Sequence, residues 1–412
     1  MFLVFKPNVY LIKGKVKGCL YDFNSGNLYH LESSIVKTLS SIINKDEKEI
    51  TDTFTLKVID EFIENNLIEK SKGKNISDIY DLKNDSCKID FAWIEITTKC
   101  NLYCIHCYDS ASPQQTSVMS MDSFEKVHRF ITDCGIKRIQ FIGGEPLLYE
   151  KALKQMILSI RNDVDFLEVF TNATCINESW AEFFAINKVN VAVSVYSYDS
   201  CNHDKVTQIN GSHIKTNNGI RILANHNVPY RVCNVLMNGI DIGKCSTDLY
   251  KINPNKDVVR MVGRANFGLL SEELIKKRLI TKKTFSAPLN LKLSRRLIKG
   301  HNCFGHKIYI STKGDVFPCV MERRFSYGNI NNDFKDTLSS VQNFTTKITK
   351  DTIDSCKDCE FRYTCFDCRP NSLGNHLNAK PWYCTYIPEK GEWEDEELFI
   401  KKLIKQYSTP CK

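Results

Sequence analysis

The 412-residue sequence lacks the features that mark membrane and secreted proteins. It has no uninterrupted apolar run of membrane-spanning length, and it contains no internal repeat and no low-complexity tract. Residues 1–7 have no basic start, no long apolar middle and no small-residue cleavage site, so no secretion signal is expected. These absences predict a cytoplasmic protein that has no membrane partner.

The sequence also lacks a strongly basic balance. Its formal net charge of +8 is mild and is spread along the chain, so ordinary surface charge explains it and no nucleic-acid partner is expected. The same charge could help to attract an acidic peptide. Hydrophobic residues make up 42% and charged residues 25%, which is typical of a globular protein with a substantial core. The length predicts two or three domains.

Cysteine is abundant, with 18 residues, and ten of these fall into two patterned groups. In a reducing cytoplasm such a density indicates metal ligands rather than disulfides. The other eight have no ligand spacing and are expected to behave as small apolar side chains. These eight are Cys19, Cys87, Cys134, Cys175, Cys201, Cys233, Cys245 and Cys411.

Residues 1–85 are predicted to form a winged-helix-like module. Short apolar strands precede two amphipathic stretches of helical period. The predicted strands are residues 9–12, 18–23 and 27–31, and the predicted helices begin at Ser34 and cover 54–67. The polar stretch 71–86 is typical of a linker, so the module is expected to be a separate unit.

From residue 89 to residue 265 short apolar segments alternate with longer helical ones. This alternation predicts a parallel sheet with right-handed crossovers, which is the α/β class. Six strand–helix units fall short of a full eight-unit barrel, so a partial (β/α)6 TIM-like barrel is expected. The predicted strands are 92–96, 138–142, 166–171, 189–195, 230–237 and 258–263, and the predicted helices are 121–134, 150–162, 179–186, 213–225 and 242–252.

Three parts are predicted after the barrel. Residues 266–300 are basic and helical in character and are expected to form a bridge. Residues 301–388 hold the second cysteine group and few long apolar segments, so bound metal is expected to stabilise their fold. Residues 389–412 are predicted to be a charged helical tail.

The first cysteine group consists of Cys100, Cys104 and Cys107, in the pattern C-x3-C-x2-C directly after the first barrel strand. A loop there lies at the carboxyl edge of the sheet, where such folds hold their active sites. Three thiolates can bind three irons of a 4Fe–4S cluster and leave the fourth iron open to an outside ligand. A structural zinc ion takes four ligands, so zinc or free thiols are the less favoured alternatives.

This pattern resembles the signature of the radical SAM superfamily, whose cofactor is S-adenosylmethionine (SAM). The resemblance implies that the open iron binds the amino and carboxylate groups of SAM. It also implies that one electron splits an S–C bond of SAM and yields a 5′-deoxyadenosyl radical, which abstracts a hydrogen atom. His106 stands where the family often has an aromatic residue.

Further residues match the family in the expected order. Gly143, Gly144, Glu145 and Pro146 follow the second strand and resemble the motif that receives the SAM amino group. Glycines allow close backbone approach, and a carboxylate can accept a charged hydrogen bond. The other implied SAM contacts are Asn172 after Thr171 on the third strand, Ser194 on the fourth, Arg231 and Asn234 on the fifth, and Gly263 and Arg264 on the sixth.

Two points about these contacts stay open. Ser194 and Asn234 could instead be polar strand residues that are hydrogen-bonded within the fold. Tyr196 stands where many relatives have an aspartate two residues after the serine.

The second cysteine group resembles the SPASM extension of radical SAM enzymes, although its last step, Cys365 to Cys368, spans two residues where the usual pattern has three. The resemblance implies two auxiliary 4Fe–4S clusters, which makes three clusters in all. The implied outer ligands are Cys356, Cys359, Cys365 and Cys384, and the implied inner ligands are Cys303, Cys319 and Cys368. A double zinc site is the alternative, because paired C-x2-C motifs also bind zinc.

Seven ligands leave one iron of the inner cluster open. A substrate thiolate could occupy it, since thiolates bind iron well. Alternatively, His301, His306 or Glu322 closes it.

As a whole, the sequence is similar to radical SAM/SPASM peptide maturases, and its opening segment is similar to that of the grasp-with-SPASM type. Residues 1–85 resemble the recognition element that binds a leader peptide as an added strand, with a packing-only domain as the alternative. The resemblance implies an oxidative cross-link in a ribosomally made precursor peptide, with a thioether favoured over a carbon–carbon or carbon–oxygen link. It also implies an electron donor such as flavodoxin or ferredoxin.

Two other functions compete with this one. A formylglycine-generating enzyme of the sulfatase-maturating type would share both cysteine groups. A non-catalytic scaffold protein would hold structural zinc instead of iron. The acid or base that completes the reaction is not identifiable from the sequence.

Overall fold

The computed structural model describes residues 1–75, 78–83, 89–245, 248–253, 257–286, 288–344, 348–372 and 376–408. Cys87, Cys411 and part of the predicted linker lie outside these ranges. Across the ranges that are described, no helix is both long enough and apolar enough to span a bilayer.

The N-terminal part contains two small antiparallel sheets and two helices. Strands β2, β3 and β4 form one sheet in that order, and β1 pairs with β5 to form the other. The sequence missed β1 and β5, which are short strands. The elements are β1 (Phe2–Phe5), β2 (Val9–Lys13), β3 (Gly18–Asp22), β4 (Asn27–Leu31), α1 (Ser33–Ile42), α2 (Thr53–Glu64) and β5 (Ile68–Ser71).

Strand β3 is buried on both faces, since all five of its residues are buried. Leu20 packs into a core with the two helices, whereas Cys19 and Tyr21 face the opposite side and join a core that includes Phe361. The Tyr21 hydroxyl donates a hydrogen bond to the Glu360 carbonyl at 2.9 Å. The N-terminal sheet is therefore packed between its own helices and the cysteine-rich region.

The central α/β unit follows the predicted alternation closely. Its elements are β6 (Phe91–Thr97), α3 (Met121–Asp133), β7 (Arg138–Gly143), α4 (Glu150–Ile160), β8 (Phe166–Thr171), α5 (Glu178–Ile186), β9 (Asn190–Ser194), α6 (Ser200–Thr207), α7 (Ser212–Asn225) and β10 (Tyr230–Cys233). These strands are parallel and adjacent in the order β10-β9-β8-β7-β6. The predicted α/β class and the partial barrel are confirmed.

The remaining elements include helices in the predicted bridge and tail. They are α8 (Glu272–Arg278), α9 (Leu291–Lys299), β11 (Lys307–Ile310), β12 (Asp315–Phe317), β13 (Gly328–Asn329), α10 (Phe334–Phe344), β14 (Tyr386–Ile387), β15 (Glu392–Trp393) and α11 (Glu396–Ser408). Strand β11 pairs in parallel with β6, and β12 and β13 continue the same sheet antiparallel. The cysteine-rich region thus shares its sheet with the barrel.

The prediction of a sixth strand at 258–263 was wrong. The sixth parallel strand in the described chain is β11, and the predicted segment makes only an isolated bridge between Leu236 and Val258. Val258 and Val259 are apolar because they are buried in the core with the bridging helix α8. Apolar composition alone did not show whether these residues form a strand of the sheet or pack against a helix.

The helix predicted at 242–252 was also wrong, since its described residues are not helical. Gly243 has a φ of +77°, which an α-helix does not allow. The Asp241 side chain accepts a hydrogen bond from the Gly243 N–H at 3.0 Å, which stabilises this turn. Helix α6, which the sequence missed, precedes α7 instead.

The two faces of the barrel strands differ in polarity. On β6 and β7, Ile94, Ile96 and Phe141 belong to the apolar core that is shared with the surrounding helices. Successive side chains on a strand point to opposite faces, so Glu95 and Gln140 face the other side. The barrel interior therefore carries buried polar groups.

Candidate active site

The first cysteine loop follows β6 and is hydrogen-bonded to elements on two sides. The Cys100 N–H donates to Ser112 O at 3.1 Å, and the N–H groups of Tyr103 and Ile105 donate to carbonyls of α6 at 3.0 Å. Cys100 packs with the side chains of Cys104 and Cys107 in one small cluster. The structure therefore brings the three predicted thiols together.

The chemistry of this thiol trio fits an iron–sulfur cluster. Burial raises the pKa of the Cys104 thiol to about 12 and also raises the pKa of Cys100 and Cys107. Without metal the thiols are therefore protonated, and binding of iron has to displace their protons. Donors also approach the sulfurs: the Leu102 N–H lies 3.4 Å from Cys100 Sγ, and the Tyr196 hydroxyl lies 4.0 Å from Cys104 Sγ.

Tyr196, the residue that departs from the family pattern, belongs to this site. Its ring lies 4.8 Å from the ring of His106, at 78°. Burial lowers the pKa of His106 to about 4, so its imidazole is neutral at physiological pH. The Ser194 hydroxyl lies within hydrogen-bonding reach of the Tyr196 hydroxyl. Ser194 and Tyr196 are thus neighbours of the cluster ligands.

The two glycines of the second predicted motif allow backbone contact within the protein. The Gly144 N–H donates to Thr97 O at 2.6 Å, and the Glu145 N–H donates to Lys99 O at 2.8 Å. A Cβ atom on Gly144 would lie 2.1 Å from Lys99 O. Glycine is therefore required for the end of β7 to lie against the start of the cysteine loop.

The Glu145 carboxylate is fully buried and links the ends of β7 and β8. It accepts hydrogen bonds from the Leu147 N–H at 3.1 Å, the Thr171 hydroxyl at 2.7 Å and the Asn172 N–H at 2.8 Å. Burial raises the pKa of Glu145 to about 7. Its expected contact with the SAM amino group stays a prediction, as does that of Pro146.

The predicted SAM contacts on the later strands have partners of their own. The Asn172 side chain donates to Asn101 at 2.9 Å and lies 3.9 Å from Cys100 Sγ. The Arg231 guanidinium forms two hydrogen bonds with Glu168, both at 2.8 Å. The Asn234 amide donates to two backbone carbonyls, which supports the alternative that it is hydrogen-bonded within the fold, although it lies just after the end of β10.

Gly263 and Arg264 lie against the cysteine loop. Gly263 has a φ of +61°, and a Cβ atom there would lie 2.3 Å from Cys107 O and 2.4 Å from Tyr108 O. The Arg264 N–H donates to Cys107 O at 3.0 Å, and its guanidinium lies 3.9 Å from the centre of the Tyr103 ring. These two residues position the loop, and their contact with SAM stays a prediction.

The second cysteine group forms two neighbouring sets. Cys356, Cys359, Cys365 and Cys384 line one pocket, together with the buried Lys350. Cys303, Cys319 and Cys368 lie near one another beside Arg260. Burial raises the pKa of Cys303 to about 11 and that of Cys319 to about 12. The assignment of these thiols as cluster ligands stays a prediction.

Two of the candidates for the open inner position are engaged elsewhere. His301 Nε2 lies 2.6 Å from Asp367, and its Nδ1 accepts a hydrogen bond from the Cys303 N–H at 3.2 Å. Both carboxylate oxygens of Glu322 accept hydrogen bonds from the Arg324 guanidinium, at 2.9 and 2.6 Å. Neither of these two side chains is therefore free to close the open position.

Asp367 lies between Cys365 and Cys368 in the sequence and is fully buried. Its role was not predicted from the sequence. Besides His301, it pairs with Lys350 at 2.8 Å and with Arg369. These cations hold the pKa of Asp367 well below its usual range despite burial. An acidic residue inside a C-x2-C motif was the available signal.

Five neighbouring side chains, which we term the carboxylate cluster, were also missed; of these, Glu95 and Tyr309 are buried. The five are Glu95, Tyr108, Asp109, Tyr309 and Arg323, and their charges act on one another. Arg323 lies 3.3 Å from Asp109 and 3.8 Å from the centre of the Tyr309 ring. Burial, followed by the charge of Glu95, raises the pKa of Asp109 to about 8. The single acidic residue in the largely apolar strand β6 was the feature of the sequence that could have indicated this cluster.

Comparison with known families agrees with this geometry. The model of the radical SAM superfamily matches residues 94–244, and the SPASM model, an iron-sulfur cluster-binding domain, matches residues 303–360. A partial α/β barrel with three thiols at its carboxyl edge defines an iron–sulfur enzyme that uses SAM. The chain belongs to the radical SAM superfamily and carries a SPASM domain.

Among curated proteins, the chain is similar to the antilisterial bacteriocin subtilosin biosynthesis protein AlbA of Bacillus subtilis, with 27% identity over 61% of this chain. That match spans 59% of the AlbA chain, which is less than two thirds of its length. An uncharacterised protein of Methanocaldococcus jannaschii is 24% identical over 60% of this chain and 91% of its own.

Two solved structures share the fold. Streptococcus suis SuiB has a TM-score of 0.50 and 12% identity, over 93% of this chain and 100% of its own. The structure of anSMEcpe with bound AdoMet has a TM-score of 0.50 and 16% identity, over 78% of this chain and 93% of its own.

Substitution of Gly263 by alanine is expected to prevent the cysteine loop from holding the SAM-binding cluster. Alanine in the left-handed region costs about 1–2 kcal/mol, and here its Cβ would also collide with two carbonyls of the cysteine loop. Gly135→Ala is the matched control, because Gly135 has a φ of +68° and nothing within 4 Å. Electron paramagnetic resonance with and without SAM measures the effect. An unchanged SAM-sensitive signal in Gly263→Ala would contradict the assignment.

Iron analysis is expected to give about twelve irons per chain with matching sulfide, because each of three 4Fe–4S clusters contributes four. Replacing Cys100, Cys104 and Cys107 together by alanine is expected to leave about eight irons and to stop formation of 5′-deoxyadenosine. Cys201→Ala is the control, since this exposed cysteine has no ligand spacing. Two zinc ions and no sulfide in the wild-type protein would favour the scaffold alternative.

Proposed function

We propose that the protein forms an oxidative cross-link in a ribosomally made precursor peptide, a thioether in the first instance. One observation carries the proposal: the thiol trio lies at the carboxyl edge of the barrel, and two further sets of thiols lie in a region that shares the barrel sheet. When bound, SAM and the clusters supply a radical that removes a hydrogen atom and an acceptor for the remaining electron.

The residues of this chain hold and shield that chemistry. Cys100, Cys104 and Cys107 would hold the SAM-binding cluster, and the other seven patterned cysteines would hold two auxiliary clusters. Gly144 and Gly263 fix the first cysteine loop from two sides by close backbone contacts. An external donor such as flavodoxin or ferredoxin would supply the electron that starts the reaction.

One relative supports a peptide as the substrate. AlbA takes its description from the biosynthesis of a bacteriocin. The likeness to anSMEcpe, whose structure with AdoMet and the Cp18Cys peptide has a TM-score of 0.50, concerns the fold alone. Peptide modification is therefore the activity that best fits the cysteine-rich region.

The N-terminal sheet supports leader binding by strand addition. In the described chain β4 pairs only with β3, so one edge of β4 is available for a further strand. The β2–β3 turn is fixed to the outer thiol set, because the Lys15 N–H donates to Asp358 O at 2.7 Å and Arg362 donates to Lys13 O at 2.9 Å. A leader on β4 would therefore be held at a constant distance from the cysteine-rich region.

Mass spectrometry of a short peptide encoded beside this protein tests the activity. After coexpression under anaerobic conditions, we expect a loss of two hydrogens per cross-link, because a C–H and an S–H bond are replaced by one C–S bond. Coexpression with the triple cysteine variant is the control and should leave the mass unchanged. An aldehyde formed with loss of sulfur would instead indicate formylglycine formation.

Hydrogen–deuterium exchange tests leader binding. We expect the precursor peptide to slow amide exchange in β4, because an added strand accepts hydrogen bonds from its free edge. The hairpin β14–β15 is the internal control and should exchange at the same rate. Unchanged exchange in β4 together with normal peptide binding would place the leader elsewhere.

A further inference from the structure

A lysine is buried beside the outer thiol set, which consists of Cys356, Cys359, Cys365 and Cys384. The side chain of Lys350 is 1% exposed and lines the same pocket as these four cysteines. Lysine is almost never fully buried unless its charge is paired. The anions around Lys350 therefore determine what its charge can do in this pocket.

The position of Lys350 is fixed by its neighbours in the chain. It begins a short 3-10 helix, Lys350–Thr352. The next residue, Asp351, accepts hydrogen bonds from Arg362 at 2.9 Å and from the Tyr363 hydroxyl at 2.8 Å. Both donors belong to the loop that carries the outer thiols. Lys350 is thus held at a constant place beside these thiols.

The carboxylate that pairs with Lys350 is shared with a second buried cation. Asp367 lies 2.8 Å from Lys350 and also pairs with Arg369, and all three side chains are at most 1% exposed. His301, a further partner of Asp367, adds no negative charge. Two cations and one anion leave this buried set with a net positive charge.

The outer thiols supply the missing negative charge when they bind metal. Burial opposes the charge of Lys350, yet nearby negative groups raise its pKa above its usual value. After Asp367, these groups are Cys365 and Cys356. Cysteines bind iron as thiolates, so a cluster in this pocket would be an anion beside the uncompensated cation. Because buried charges are tolerated when they are paired, the residues present fit an anionic iron–sulfur cluster.

We infer that the buried charge of Lys350 raises the reduction potential of a cluster in the outer thiol set and so favours that cluster as the electron acceptor in cross-linking. The role as acceptor rests on the proposed function. A hydrogen atom of the substrate carbon goes to the 5′-deoxyadenosyl radical, the S–H proton goes to water, and the new C–S bond leaves one electron over. That electron reduces the oxidised outer cluster, which gains one negative charge. A fixed cation in a site of low dielectric constant stabilises this added charge.

The substitution Lys350→Met tests this effect, because methionine is also long and unbranched but carries no charge. Asp367 keeps Arg369 as its partner in this variant. The reduction potential is measured by a redox titration that is followed by electron paramagnetic resonance, on the full chain without peptide. The titration uses the triple cysteine variant as background, so that only the auxiliary clusters contribute. The couple that is lost in Cys384→Ala is that of the outer cluster.

At a fixed potential, the ratio of reduced to oxidised outer cluster is expected to fall about tenfold in Lys350→Met. For a one-electron couple this is a shift of about 59 mV towards negative potential. The inner couple and the iron content are expected to stay unchanged. Lys350→Gln is a second neutral variant that can still donate a hydrogen bond to Asp367, and it is expected to show the same shift.

Lys357→Met is the matched control, because Lys357 follows Cys356 in the chain but is exposed, so water and salt screen its charge. It is expected to leave both couples at their wild-type potentials. An outer potential that is unchanged or more positive in both neutral Lys350 variants would overturn the inference.

Loss of the outer iron in both neutral variants would also overturn the inference, since it would indicate that Lys350 only supports the fold. Zinc in the outer set of the wild-type protein would do the same. The titration contains no peptide, so it separates this inference from the proposed function. A normal shift without any cross-linked product would contradict the proposed function and leave the effect of Lys350 on the cluster in place.

Discussion

The geometry of the site depends on backbone contact between the ends of two neighbouring parallel strands. The end of β7 lies against the residues that follow β6, with hydrogen bonds of 2.6 and 2.8 Å from Gly144 and Glu145 to carbonyls of residues 97 and 99. A side chain at position 144 would occupy the space of the Lys99 carbonyl. Cys100 follows directly, so this contact determines where the thiol trio begins. Gly263 makes a second contact of the same kind, against Cys107, at the other end of the trio.

Buried charges near the site are paired or hydrogen-bonded in sets. Glu145 accepts three hydrogen bonds, Glu168 is bound by the fork of Arg231, and Asp367 is surrounded by cations. An isolated buried charge would be strongly destabilising, whereas a fully partnered one is tolerated and fixes its neighbours. In the carboxylate cluster, Arg323 lies 3.3 Å from Asp109, and the Thr312 N–H donates a hydrogen bond to Glu95.

The N-terminal part, the barrel and the cysteine-rich region are joined by a shared sheet and a shared hydrophobic core. Strand β11 of the cysteine-rich region adds to the barrel sheet beside β6, with Tyr309 opposite Trp93. The N-terminal sheet packs Tyr21 against the region of Phe361. A peptide held by the first part and oxidised by the others would therefore meet surfaces whose relative positions are fixed by packing. The bridging helix α8 adds to this core through Leu274 and Ile275.

Local patterns in the sequence determined the α/β class, the five parallel strands from β6 to β10 and the grouping of the patterned cysteines, because periodicity and ligand spacing are properties of neighbouring residues. The sixth parallel strand was decided by tertiary structure: residues 258–263 are as apolar as β11, and only the pairing partner distinguishes them. The same holds for the carboxylate cluster, whose members Glu95 and Arg323 are more than 200 residues apart and meet only when β11 pairs with β6. Spacing along the chain can reveal a set of ligands on one loop, but a site assembled from distant strands becomes visible only in the fold.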